Sequence, residues 1–185
     1  MIAQKGGRYE CVDLYCQDEA RFGLFTYVGK GLTARGVKPV CPFQQVFQYT
    51  YLIGAFSPIT GDHFELEMPF CNSEMFQRYL EEFSRHNPKE LKVMILDNGA
   101  FHLAKPLVIP DNILLKFLPP YSPELDPAEK IWWRMKRGYV DRVFQTLDQL
   151  SEYIDTAVNG LSKEEVMSIC GFDYFKTAQH HWVIL

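Results

Sequence analysis

Long apolar runs are missing from this sequence, as is any excess of positive charge, and each absence removes a class of function. No stretch approaches the roughly 20 consecutive apolar residues that a membrane-crossing helix needs. Met1–Arg8 also lacks the apolar core of a secretory signal. Lys and Arg number 19 against 23 Asp and Glu, so with a formal charge of −4 the bulk electrostatics do not advertise a nucleic-acid binder. The 5 cysteines (Cys11, Cys16, Cys41, Cys71, Cys170) are odd in number and include no C-x-x-C pair. That pattern reads as reduced thiols in a cytoplasmic protein, not as a disulfide framework or a zinc site. Repeats, low-complexity tracts and linkers are absent too, leaving no seam at which the 185 residues would divide. What is present is core material: 47% hydrophobic residues, enough for one soluble domain over residues 1–185, with terminal helices from about residue 145.

Hydrophobic periodicity supplies the elements. Tyr9 to Tyr15 alternates as a strand that should end near Gln17–Asp18–Glu19, and Phe22 to Val28 can be a partner strand. Gly29 to Pro39 (GKGLTARGVKP) is a basic, glycine-rich loop. Val46 to Phe56 reads as a long central strand and His63 to Met68 as another. Asn72 or Ser73 can cap a helix through His86 with an apolar stripe at Met75, Phe76, Tyr79, Leu80 and Phe83. Leu91–Leu96 and Ile113–Leu118 are continuous apolar runs of the kind buried on both faces of a sheet. Two helices, Leu147–Gly160 and Ser162–Cys170, close the chain. The expected architecture is an α/β domain whose mixed five-stranded sheet, three antiparallel strands and then parallel ones, is flanked by helices.

One stretch, Phe117 to Lys136 (FLPPYSPELDPAEKIWWRMK), is stiffer than its surroundings. Pro119, Pro120, Pro123 and Pro127 pin the loop, Asp126 is a good N-cap, and Pro127 suits the first helical position. The loop therefore delivers a helix carrying an early carboxylate, Glu129. An ordinary first-turn glutamate favouring the helix dipole is the plain alternative. Two more acids sit at comparable places: Asp18 at the end of the first strand and Asp97 at the end of the Leu91–Leu96 strand. Were those strands adjacent, the two anions would repel each other unless a proton or cation intervened. Carboxylate oxygens without nearby Cys or paired His select Mg²⁺ or Mn²⁺, and two such ions about 4 Å apart suit an in-line displacement at a phosphodiester. Each acid also has a structural reading, since Asp97–Asn98–Gly99 is good tight-turn chemistry and Glu19 competes with Asp18.

QDEARFG (Gln17–Gly23), LDNGAFH (Leu96–His102) and LPPYSPELDPAEKIWWRMK (Leu118–Lys136) together resemble the signature blocks of bacterial insertion-sequence transposases of the Tc/mariner superfamily. These are DDE transposases with an RNase H-like catalytic domain. NSEMFQRYLEEF and LIGAFSPITGDHF add to the resemblance, which covers most of Gln17 to Leu150. It implies that Asp18, Asp97 and Glu129 form the catalytic, metal-binding triad, using two Mg²⁺ or Mn²⁺ ions. It further implies cleavage and strand transfer at transposon ends, a TA target preference, and action as a homodimer on nucleoid DNA. Asp97 and Glu129 are 32 positions apart, slightly fewer than usual, which suggests a loop shortened near Lys105–Asp111. The family's N-terminal helix-turn-helix region has no counterpart, as expected of an excised catalytic domain or a truncated reading frame. A catalytically silent, domesticated DNA-binding or dimerisation module, or another RNase H-like nuclease, remains the alternative.

Supporting residues follow. His102 can contact substrate or organise the site, Asn98 can assist metal or phosphate, and Glu19 can make a supporting salt bridge. Lys130, Arg134, Lys136, Arg137 and Arg142 gather on one helical region. With Lys30, Arg35 and Lys38 of the glycine-rich loop they are candidates to neutralise DNA phosphates, against a plain solvated face. Trp132 and Trp133 are adjacent, so one should pack on the sheet and the other face outward. His180–His181 is read as a fraying tail without metal.

Overall fold

The first strand does not stop at its polar Gln17–Asp18–Glu19 stretch. In the computed structural model, which describes residues 8–29, 34–38, 40–104, 107–120, 122–175 and 177, β1 spans Cys11–Gly23. Its two halves have different partners. Cys11 to Cys16 pair in parallel with Glu90 to Ile95 of β4 (Glu90–Leu96), while Cys16 to Gly23 pair antiparallel with β2 (Tyr49–Phe56). The hairpin with β2 carries the strand through the polar residues, because Ala20 and Phe22 continue the buried alternation beyond them. Phe22–Val28 is therefore not a separate strand: Phe22 and Gly23 finish β1, and residues 24–28 follow as irregular chain. Likewise β2 begins at Tyr49, three residues later than the expected Val46.

β3 (His63–Met68) pairs antiparallel with β2, and β5 (Ile113–Phe117) pairs in parallel with β4, giving the order β3-β2-β1-β4-β5. This is the expected sheet of three antiparallel strands extended by parallel ones. Four helices follow the expected ranges: α1 (Ser73–Arg85), α2 (Ala128–Arg137), α3 (Leu147–Asn159) and α4 (Lys163–Cys170). Asn72, Thr146 and Ser162 cap α1, α3 and α4 through their side-chain oxygens.

The sheet's two faces carry separate cores. α1 buries Phe76, Tyr79, Leu80 and Phe83 against Tyr15, Ile53, Met94 and Leu96. Each of those side chains contributes roughly 1.5–3 kcal/mol by leaving water. On the opposite face, Ala20, Phe22, Leu52 and Phe56 pack against Ile131, Trp132 and Met135 of α2 and against Leu150, Ile154 and Val166 of α3 and α4. That second core sets the seat of α2, the helix bearing Glu129.

Candidate active site

The register of β1 on β4 brings the first two acids together. The last parallel pair is Cys16 with Ile95, and Asp18 and Asp97 lie two residues beyond each. Both carboxylates therefore stand at the C-terminal end of the parallel pair, where β4 ends and β1 continues alone with β2. The third arrives by the proline loop. Leu118 donates its N–H to Leu96 O at 2.9 Å, and Asn98 Nδ2 reaches Leu118 O at 2.7 Å, so the loop leaves the sheet beside Asp97. It then passes a 3-10 turn, Pro123–Leu125, and enters α2. The helix begins at Ala128, with Pro127 just before it, one residue later than expected. Asp126 still caps it, since its Oδ1 accepts from Ala128 N at 3.0 Å.

These elements enclose a cavity of about 460 Å³ lined by Asp18, Asp97, Asn98, Asp126 and Glu129 with the loop prolines. All three sequence-predicted acids line it, and a fourth, Asp126, joins them. Among the described residues, no Lys, Arg or His lines the cavity. The concentration of negative charge shows in the side chains' acidity. Burial, with Asp97 and Glu19 adding repulsion, pushes Asp18 up to about 7. Burial together with the charges of Asp18, Glu129 and Asp97 pushes Asp126 up to about 8. Such a set of hard oxygen donors fits a divalent ion of the Mg²⁺ or Mn²⁺ type. Among the described residues, no three His, Cys, Asp or Glu side chains are gathered tightly enough to ligate one ion as they stand.

Each of the two strand-borne acids is held from behind. Trp132 Nε1 donates to Asp18 Oδ2 at 3.0 Å. The indole reaches that far because Gly54, the cross-strand partner of Asp18, offers no side chain: a Cβ there would lie 2.7 Å from Trp132 Cη2. Asp97 is fixed on the other side of the sheet. His102 Nδ1 sits 2.9 Å from Asp97 Oδ1, and Nε2 sits 2.8 Å from Glu19 Oε1. Both partners are acceptors, so the ring that satisfies both is an imidazolium. Burial opposes that charge, yet Glu19 and Asp97 outweigh it and raise the His102 pKa above the ordinary value. Gly99 N also donates to Asp97 Oδ1 at 2.8 Å, which leaves Oδ2 free of bonds among the described residues.

The basic candidates separate. Lys30 lies outside the described residues, as do His180 and His181. Arg35 and Lys38 are exposed on the loop, and Lys130 and Arg137 are exposed on α2. Arg137 stacks on Trp133, which is 66% exposed, whereas Trp132 is 5% exposed and packs edge-on against Phe56. Arg134 is occupied inside the fold: Nε and Nη2 bond both oxygens of Glu165 at 2.7 and 2.8 Å and clamp α2 to α4. Lys136 is half-buried and lies within the field of Asp18. Asp126 and Gly54 escaped the sequence reading. Asp126 was explained by its cap, and the only signal for Gly54 is a glycine inside a strand, which hints at close approach by something unspecified.

The DDE superfamily endonuclease family model matches residues 13–151, and the chain belongs to that family. It is 36% identical over 125 residues to the uncharacterized protein y4pE/y4sA of Sinorhizobium fredii, covering 65% of this chain and 93% of that one. Among solved structures, it superimposes on the Mos1 strand transfer complex with a TM-score of 0.65 at 15% identity, over 92% of this chain and 52% of the Mos1 chain. The Mos1 mariner paired end complex with Mn gives a TM-score of 0.64 at 16% identity, over 85% and 51%. The chain thus spans about half the length of these Mos1 structures. The fold they share with it is RNase H-like.

Proposed function

We propose that this chain is the catalytic domain of a transposase, performing divalent-metal-dependent cleavage and joining of DNA strands at transposon ends. The observation that carries the reading is the cavity where the parallel pairing of β1 with β4 ends, at which four carboxylates converge with no basic side chain of the described residues among them. Membership of the endonuclease family supports it, as does the fold shared with Mos1, a protein solved in strand transfer and paired-end complexes. Asp18, Asp97 and Glu129 would hold Mg²⁺ or Mn²⁺, with two ions accommodated. Bound there, the ions supply charge neutralisation, activation of the attacking hydroxyl and stabilisation of the leaving oxygen.

The chain's own residues prepare that chemistry. Trp132 holds Asp18 through Oδ2, and His102 with Gly99 holds Asp97 through Oδ1, which leaves Asp97 Oδ2 for the cavity. The prolines limit the freedom of the loop that delivers Glu129. Arg35, Lys38, Lys130 and Arg137 are exposed cations suited to DNA phosphates. Lys30 belongs to the same proposed set, and Arg134 contributes by fixing α2. We extend the reading to a cytoplasmic homodimer of the Tc/mariner type with TA targets.

Asp97→Asn should abolish Mn²⁺-dependent cleavage of duplex DNA bearing the element's terminal repeats while leaving the circular dichroism spectrum unchanged. Full cleavage by that variant sinks the triad assignment. The catalytically silent module is the second reading, favoured by the absence of any ready three-ligand cluster among the described residues. It requires no cleavage with any divalent ion and no cation-dependent rise in melting temperature.

A further inference from the structure

A second cavity, also about 460 Å³, opens where the half of β1 paired with β2 meets α2. Its character is opposite: among the described residues it is lined by aromatic rings and two cations and by no carboxylate. Tyr27 and Phe47 are 59% and 64% exposed, although exposed rings of that size cost free energy unless something covers them. Phe25 and Phe47 lie with ring centroids 5.5 Å apart and planes tilted by 34°. The Tyr49 ring forms the floor. It lies so close to Gly23 that a Cβ there would stand 2.5 Å from Tyr49 Cδ1. The Arg21 guanidinium sits 4.7 Å from the centre of the same ring. Tyr139 closes the strand edge that β4 leaves open, its hydroxyl bonding both the N–H and the C=O of Gly23.

Neither Arg21 nor Lys136 forms an ion pair among the described residues, and both face the cavity. Asp18 and Arg21 lie three residues apart on β1, and Glu129 and Lys136 two turns apart on α2, so both cavities lie along the same strand and helix. Two unpaired cations beside a row of flat rings complement a chain that alternates phosphates with aromatic bases. A duplex hides its base faces by stacking, so only unpaired nucleotides can use the rings.

We infer that Tyr27, Phe47 and Tyr49, with Arg21 and Lys136, form a binding site for unpaired nucleotides of a DNA strand whose backbone continues into the acidic cavity. This rests on the DNA-processing reading and names the form in which the strand is held beside the reacting bond. The rings take bases without regard to sequence, and the cations take the intervening phosphates.

Binding in EDTA separates this site from catalysis. Fluorescence anisotropy with a labelled oligothymidylate should show each of Phe47→Ala and Tyr27→Ala weakening binding by about tenfold. Affinity for a blunt duplex of equal length should change by less than about twofold, and Phe47→Trp should retain oligothymidylate binding. Both rings are largely exposed, so the melting temperatures should match the unsubstituted protein. Unchanged oligothymidylate affinity in the Phe47→Ala, Tyr27→Ala double variant overturns the site, as does an equal loss on single strand and duplex. Failure of Mn²⁺-dependent cleavage overturns the catalytic reading instead and leaves this binding result to be judged alone.

Discussion

Trp132 and Asp18, on α2 and β1, are joined by a single hydrogen bond of 3.0 Å from the indole N–H to Oδ2. Trp132 lies one helical turn beyond Glu129, so this bond ties the helix carrying the third acid to the strand carrying the first. Trp132→Phe keeps an aromatic ring for packing on Phe56 but removes the donor. A hydrogen bond to a charged group is worth about 1.5–3 kcal/mol, and losing an outer partner of a metal ligand typically costs about 10- to 100-fold in metal affinity or activity. Titrating Mn²⁺ against cleavage rate should show a shift of that size. Identical Mn²⁺ dependence in the variant would show that the bond does not position Asp18.

Gly54→Ala tests the same contact from the opposite strand. The added methyl would fall 2.7 Å from both Trp132 Cη2 and Phe56 Cζ, inside a packed core. Overpacking of this kind costs about 1–3 kcal/mol. Chemical denaturation should reveal that loss, with less cleavage than the loss of folded protein alone explains. A variant as stable and active as the original would mean that the ring is free to move.

His102 should behave differently from Trp132, because it joins two acids instead of holding one. His102→Gln cannot span both acids as the ring does, so Glu19 or Asp97 loses one of its donors. Cleavage is expected to fall by about 10- to 100-fold through loss of this outer support. Glu19→Gln, which keeps an acceptor for Nε2, should fall less. Equal defects in the two variants would argue that Glu19 itself touches substrate.

Asp126 gives a pH signature. Burial pushes its carboxyl up to about 8, and Asp18 reaches about 7, both above the ordinary 3.8. Between the ordinary value and these raised ones the folded chain holds more protons than the unfolded chain, so metal-free stability falls as pH rises through that window. Asp126→Asn keeps a capping oxygen but removes one of the two titrations. The variant should match the original near pH 4 and exceed it by several kcal/mol above pH 8 in EDTA. Melting temperatures across that range decide the matter, and parallel curves would contradict the burial of charge.

Long periodic elements were open to reading from the sequence. The stripe at Phe76, Tyr79, Leu80 and Phe83 specified α1, and the apolar runs specified β4 and β5. β1 was misjudged because its polar centre looked like an ending, whereas Gln17 bonds Glu19 and Asp18 bonds Trp132 within a continuing strand. The three acids were visible as motifs, whereas the contact between Glu19 and His102 joins residues from two separate motifs and had no local signal. Arg134 was not visible as a helix clamp, because its partner Glu165 lies in a later helix and no local pattern connects them. The aromatic cavity was hidden for a similar reason: Arg21, Phe47 and Lys136 meet only when the hairpin and α2 are assembled.

The central claim is that Asp18, Asp97 and Glu129 form one divalent-metal site, and anomalous diffraction from crystals soaked in Mn²⁺ tests it most directly. The account predicts a manganese peak between Asp18 and Asp97, with Glu129 drawn towards it and the Trp132 and His102 bonds intact. Ordered carboxylates with no manganese between them at millimolar Mn²⁺ would contradict it.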